Sequence, residues 1–114
     1  MSHAGCRSSG LITADTKVFS GRCKLVSIHA YNAHASDATT IIVYDNTAAS
    51  GKIVAKLLIP GQRSVIIDDT SGGDQAATAF TGTNIEYDMH AVICDNGLYV
   101  DVTSGTPNLT VEYA

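Results

Sequence analysis

The chain contains no tryptophan, only two prolines and few charged side chains. Charged residues make up 16% of its 114 residues, below the roughly 25% typical of soluble domains. A surface with few charges suits a protein that spends its life in an assembly, although an ordinary small β-sandwich tolerates it as well. The apolar fraction of 45% excludes a disordered chain, and the length predicts a single domain.

Lysine and arginine are absent after Arg63. Residues 1–63 contain seven basic and three acidic residues, a net charge of +4, whereas residues 64–114 contain eight acidic residues, a net charge of −8. This asymmetry indicates either electrostatic contacts between opposed surfaces or interleaved strands that mix the charges. Because no basic cluster alternates with aromatic residues and the total charge is −4, we expect no nucleic-acid partner.

Long apolar runs and disulfide patterns are also missing. No run approaches the roughly 20 apolar residues that span a bilayer, so we expect no membrane partner. Residues 1–7 lack the apolar core of a signal peptide. The three cysteines are an odd number without metal-type spacing. These absences predict a protein of the reducing cytosol, with Cys23 and Cys94 as buried, inert thiols and Cys6 in a polar, exposed segment.

Patterns that carry catalysis or bind metals are not found either. His29 and His34 flank one loop, but the four histidines do not supply the three or four convergent ligands of a zinc site. The acidic loop at residues 68–74 lacks the residue order and terminal glutamate of an EF-hand, so a solvated loop is favoured over a calcium site. No Ser-His-Asp order, phosphate loop or HExxH helix occurs. We therefore expect no enzyme, no metal and no cofactor.

Two β-rich runs punctuated by Asp, Asn and Gly are the clearest positive signals, at residues 40–55 and 94–103. These turn residues tolerate a left-handed backbone, so both runs predict hairpins, the second with its turn at Asn96-Gly97. About eight short strands follow one another up to residue 113. The sequence predicts an all-β protein: a single antiparallel, jelly-roll-like β-sandwich over residues 18–114, preceded by a flexible N-terminal arm over residues 1–17.

Alternation of apolar and polar residues assigns the faces of the predicted strands. In the strand near residues 52–59, Ile53, Ala55, Leu57 and Ile59 are expected to point inward, and Val54, Lys56 and Leu58 outward. Apolar side chains on an outer face indicate a contact surface, unless the second sheet covers them. The predicted interface residues comprise outward strand positions and two basic residues of the arm: Tyr44 (or its neighbour Val43), Val54, Leu58, Tyr99, Arg7 and Lys17.

At the two predicted hairpins, the sequence resembles small β-sandwich virion proteins of tailed bacteriophages. The likeness lies in residues 44–51, 86–88 and 96–111, and it extends over roughly residues 18–114. It implies a structural virion protein, first of all a head decoration (cement) protein on the outer surface of the capsid, assembled in the host cytoplasm. The implied partners are the major capsid protein and other copies of the chain, and a trimer would match the local three-fold sites of an icosahedral shell. The arm would become ordered on docking.

Two alternatives stay open. Similar small sandwiches occur in the necks and tails of virions, so a tail or neck protein is the first. The second is a lectin-like ligand-binding sandwich, in which loop residues would line a site: His34, Asp68, Asp69, Asp74 and Asn84. A sugar site usually offers an exposed aromatic ring for stacking, and Tyr31 is the one aromatic residue next to the loop at residues 32–37.

Overall fold

Two four-stranded antiparallel sheets pack face to face in the computed structural model, which describes residues 5–32, 37–61, 64–66, 77–79 and 83–114. Sheet A contains, in spatial order, β1 (Arg7–Ser8), β10 (Asn108–Tyr113), β3 (Cys23–Asn32) and β8 (Thr83–Cys94). Sheet B contains β2 (Thr16–Ser20), β9 (Gly97–Ser104), β4 (Thr39–Asp45) and β5 (Lys52–Ile59). A separate ribbon pairs β6 (Ser64–Ile66) with β7 (Ala77–Ala79). The described residues contain no helix, and the predicted all-β antiparallel sandwich is confirmed.

The core lies between the two sheets. Strand alternation turns every second side chain inward, and the largest of these are almost completely shielded from water. Burying each such side chain contributes about 1.5–3 kcal/mol to folding. The apolar core side chains that are at most 1% exposed are, from sheet A, Leu25, Ile28, Cys94, Leu109 and Val111, and from sheet B, Ile41, Val43, Ile59, Leu98 and Val100.

A bulge between β4 and β5 changes the predicted faces of one strand. Val43 pairs with Ala55 but the next residue, Tyr44, pairs with Ile53, so Val54 has no opposite partner. Ile53 therefore points outward and is 51% exposed, whereas Val54 packs against the core. The predicted orientations of Ile53 and Val54 were therefore wrong. The predicted orientations of residues 55–59 are correct, because these residues all follow the bulge and keep a regular alternation.

The described part of the predicted arm, residues 5–17, belongs to the sandwich. Arg7 pairs with Tyr113 at the edge of sheet A, and Thr16 begins the edge strand of sheet B. Between them Ile12 is 3% exposed, and it exchanges two backbone hydrogen bonds with Leu109, at 2.7 and 2.9 Å. The flexible arm and its boundary at residue 17 were thus wrong predictions for these residues, because edge pairing and one buried aliphatic side chain hold them in place.

The two turn signals have different outcomes. The run at residues 40–55 forms the predicted hairpin of β4 and β5, and its loop is closed by the Asn46 amide, which donates to the Ser50 carbonyl at 2.8 Å. The run at residues 94–103 is not a hairpin, because β8 ends in sheet A and β9 begins in sheet B. Its residues 95–96 form a corner between the sheets, and neither Asn96 nor Gly97 has a positive φ. Glycine is needed at 97 for another reason: a Cβ there would lie 2.8 Å from the Asn46 carbonyl oxygen.

Strands from the basic and the acidic parts of the chain interleave. The late strand β9 lies between β2 and β4, and the early strand β3 lies between β10 and β8. Of the two readings of the charge asymmetry, the structure therefore favours mixing of the charges within each sheet.

Edge strand β8 contains a large bulge. At this bulge, a single residue of β3, Val26, lies opposite three residues of β8, Met89 to Ala91. His90 and Ala91 take left-handed backbone angles, with φ of 54° and 56°, and the Asp88 carboxylate accepts a 2.8 Å hydrogen bond from the His90 N–H. Such a kink interrupts the exposed edge and disfavours pairing with another strand there.

Candidate functional site

A row of four side chains crosses the outer face of sheet B. Register places Lys17 beside Tyr99, Tyr99 beside Tyr44, and Tyr44 beside Ile53. The strand neighbours of Tyr99 and Tyr44 are buried, and Lys17 and Ile53 are themselves exposed, so this row points away from the core. Ile42 and Leu58 continue the same face toward the other end of the sheet. We call this surface the sheet-B face, and it comprises Lys17, Ile42, Tyr44, Ile53, Leu58 and Tyr99.

Four of the six predicted interface residues lie on the sheet-B face: Lys17, Tyr44, Leu58 and Tyr99. Leu58 is 66% exposed, and the two tyrosines are half-buried by their neighbours. Arg7 lies elsewhere, on the edge strand of sheet A, and Val54 points inward. Ile53 was missed because strict alternation does not anticipate a bulge. The only sequence signal for such a bulge is a predicted strand that is one residue longer than the strand it pairs with.

A pair of carboxyl groups borders the sheet-B face. Asp101 lies opposite Ile42, and the nearby Asp15 accepts a 2.8 Å hydrogen bond from the Val102 N–H. Burial, followed by the charge of Asp15 and a hydrogen bond with it, raises the pKa of the Asp101 carboxyl. Asp101 and Lys56 flank Ile42 in register on either side, so charged groups border the apolar part of this face.

The corner between the two sheets is held by the buried carboxylate of Asp45. Its two oxygens accept backbone hydrogen bonds from Asp95 at 3.0 Å, Asn96 at 2.8 Å and Gly97 at 3.3 Å. Burial alone would raise the pKa of this carboxyl, but the three N–H donors and nearby Lys52 bring the pKa below its ordinary value. The Asp45 carboxylate, at the end of β4 in sheet B, thus holds the backbone that follows β8 in sheet A. This contact fixes the position of one sheet against the other at the corner.

A groove of about 380 Å³ lies on the outer face of sheet A. Tyr31 is flanked in register by Asn108 on one side and Asn84 on the other. In the next row His29 lies between Thr110 and Glu86. The volume falls at the lower end of the roughly 300–1,000 Å³ found for small-molecule sites. We call this the sheet-A groove; its polar and aromatic lining residues are His29, Tyr31, Asn84, Glu86, Asn108 and Thr110.

A hydrogen-bonded cluster fixes one end of the sheet-A groove. The His29 ring contacts Glu112 through Nε2 at 3.0 Å and Glu86 through Nδ1 at 3.6 Å. The Ser27 hydroxyl donates to the same Glu112 oxygen. This hydrogen bond first, and then the one with His29, lowers the pKa of the Glu112 carboxyl. Because the serine hydroxyl is directed at a carboxylate and Ser27 is buried, the arrangement orients His29 but does not prepare a serine nucleophile.

The other predicted ligand-loop residues are only partly covered by the structure. Asn84 lies in the sheet-A groove beside Tyr31, whereas His34, Asp68, Asp69 and Asp74 lie outside the described residues. Within the described ranges, no three His, Cys, Asp or Glu side chains are grouped so that they would hold a metal ion. Among the described residues, no helix is long and apolar enough to cross a membrane.

Comparison of the chain with protein-family models, with curated proteins and with solved structures finds no match.

Proposed function

We propose that this chain is a structural protein of a virion, and specifically a capsid decoration (cement) protein that docks through its sheet-B face. The observation that carries the proposal is the unbroken row of Tyr99, Tyr44 and Ile53 across the outer face of a rigid sheet. Tyrosine and aliphatic side chains on a flat, preorganised surface favour association with another protein. The resemblance of the hairpin segments to small virion sandwiches points in the same direction.

The size of the sheet-B face explains why such a protein would work in many copies. Four strands about 4.8 Å apart, of which β4 has seven residues, give a face of roughly 400 Å². A standard stable interface buries about 800 Å² on each partner. One face therefore supplies about half of a stable contact, and additional contacts between copies would strengthen attachment through multivalency.

The proposed partners are the major capsid protein and other copies of the chain. A trimer is favoured, because three copies around a local three-fold axis would bind three equivalent shell sites together. The proposal places the protein on the capsid surface after assembly in the host cytoplasm, with no catalytic, cofactor, membrane or nucleic-acid role. A tail or neck position is the alternative within the same class, and it would use the same face.

Two matched leucines test which face docks. Leu58 on the sheet-B face is 66% exposed, and Leu11 beside the sheet-A groove is 68% exposed. We expect Leu58→Lys to lower binding of the purified chain to shells that lack it by about tenfold or more, which corresponds to about 1.4 kcal/mol. Leu11→Lys should bind as the wild type does. Equal binding of both variants would overturn the proposal.

The sheet-A groove favours a second candidate, a lectin-like saccharide-binding module. Tyr31 between two asparagines offers a ring for stacking and amides for hydrogen bonds with hydroxyl groups. NMR titration of the full chain with neutral oligosaccharides tests this function. Shifts confined to the groove and lost in Tyr31→Ala, but kept in Tyr99→Ala, would support it. Spectra unchanged at millimolar sugar would exclude it.

A further inference from the structure

Two of the three cysteines lie directly opposite each other at one end of sheet A. Cys23 is the first residue of β3 and Cys94 is the last residue of β8, and the register pairs them. Both side chains face the core, with exposures of 5% and 0%. The sequence separates them by most of the chain, so only the fold reveals the pair.

The backbone geometry of this position suits a disulfide. Directly opposite residues of an antiparallel pair have Cα atoms about 4.5 or 5.5 Å apart. Disulfides span Cα distances of about 4.4–6.8 Å, so either class of pair fits. Their Cβ atoms must approach to about 3.5–4.5 Å, slightly closer than the roughly 4.5–5.5 Å of ordinary opposite residues. Closing the bond therefore needs the two Cβ atoms to approach by about 1 Å.

We propose that Cys23 and Cys94 form an intramolecular disulfide when the protein meets an oxidising medium. The oxidant is a small-molecule disulfide such as oxidised glutathione. One cysteine thiolate attacks the glutathione disulfide and releases one glutathione thiolate, and the second cysteine thiolate then attacks the mixed disulfide and releases the other. Each protein thiol loses one proton, and the two glutathione molecules are reduced as the two cysteines are oxidised.

The third cysteine does not compete for this bond. Cys6 is exposed on the outer side of sheet A, where its thiol donates to Glu112 at 3.9 Å. Cys23 and Cys94 face the opposite side of the same sheet. The oxidised protein should therefore hold one internal disulfide and one exposed thiol.

Oxidation of the pair should be slow at neutral pH. Burial first, and then the nearby Cys23 and Asp45, together raise the pKa of the Cys94 thiol to about 11. Burial and Asp45 also raise the pKa of Cys23. Because the thiolate is the attacking species, few molecules react at any moment near neutral pH. The pair would thus stay reduced in a cytosol and close gradually outside it.

The bond would stabilise the protein. It ties β3 to β8 next to the corner that Asp45 holds, and it closes a loop that includes most of the chain. Closing so long a loop restricts the unfolded chain strongly, and we expect the melting temperature to rise by about 10 °C or more.

The test uses the full chain with Cys6→Ser, which leaves only the two opposed thiols. After incubation with oxidised glutathione at about pH 9, we expect a mass loss of about 2 Da and one peptide that links Cys23 to Cys94. The reaction should be at least tenfold slower at about pH 7. Wild-type protein should gain the same link and the higher melting temperature. Two retained thiols, a link through Cys6 in the wild type, or a lower melting temperature after oxidation would each overturn the proposal.

Discussion

Replacing Asp45 by alanine removes the acceptor that joins the two sheets at the corner. The N–H bond of Gly97 is buried, so its donor would be left without a partner at a cost of about 1–3 kcal/mol. The bonds from Asp95 and Asn96 are partly exposed, and water would replace them at about 0.5–1.5 kcal/mol each. We therefore expect Asp45→Ala to lower the free energy of unfolding by about 3 kcal/mol, a large part of the 5–15 kcal/mol of a typical domain.

Urea denaturation at neutral pH, followed by circular dichroism, measures this loss. The matched control is Asp95→Ala in the same corner, whose carboxylate lies 3.8 Å from the Arg22 guanidinium in an exposed ion pair. Such a pair contributes about 0–0.5 kcal/mol, so the control should unfold almost as the wild type does. If Asp45→Ala and Asp95→Ala differ by less than 1 kcal/mol, the carboxylate does not hold the corner and our reasoning is refuted.

The pH dependence of Asp45→Asn gives an independent check. The folded-state pKa of Asp45 lies below its unfolded value of about 3.9. The stability that the carboxylate contributes is therefore fully present above about pH 4, and it is lost as the pH falls through the folded-state pKa. The gap in unfolding free energy between the wild type and Asp45→Asn, which is always neutral, should shrink as the pH falls below about 4. A constant gap would contradict the assigned role.

Three further substitutions test individual features by the same denaturation assay. Ala91→Gly should stabilise the protein by about 0.5–1 kcal/mol, because Ala91 has a φ of 56°, whereas Ala49→Gly in an exposed loop should not. Asp101→Asn should raise stability at neutral pH by up to about 1 kcal/mol, because the raised pKa of the Asp101 carboxyl means that its ionisation beside Asp15 destabilises the folded state. In acid, where Asp101 is protonated, the variant should lose this advantage. Gly97→Ala should destabilise by about 2 kcal/mol or more, because its Cβ would lie 2.8 Å from a backbone oxygen; wild-type stability would show that the corner adjusts freely.

Local turn signals predict where the chain bends but not which strands then pair. An Asp-Asn pair with a glycine further on lies at the end of β4 and again directly after β8. Each of these two segments was expected to form the turn of a hairpin. The first does, but the second leads from one sheet to the other because Asp45 captures its backbone donors. That carboxylate is 50 residues away along the chain from its nearest partner, Asp95. Tertiary contacts of this kind are invisible to a reading of neighbouring residues.

The candidate surfaces depend on register in the same way. Alternation placed Leu58 and Tyr99 outward and left Tyr44 or Val43 open, and the structure puts Tyr44 on one face with Leu58 and Tyr99. It placed Val54 wrongly, because one extra residue in a strand exchanges the two faces. The sheet-A groove gathers Tyr31, Asn84 and Asn108 from three strands, and only their register brings them together.

We propose that the sheet-B face attaches this chain to a viral capsid and strengthens the shell. The most direct measurement is the heat resistance of virions assembled with the wild-type chain, with Leu58→Lys, with Leu11→Lys, or without the chain. We predict that particles with the wild type or Leu11→Lys withstand heating that opens particles without the chain, and that Leu58→Lys gives no protection. Equal heat resistance of all four kinds of particle, or a chain found only in the tail, would contradict the account.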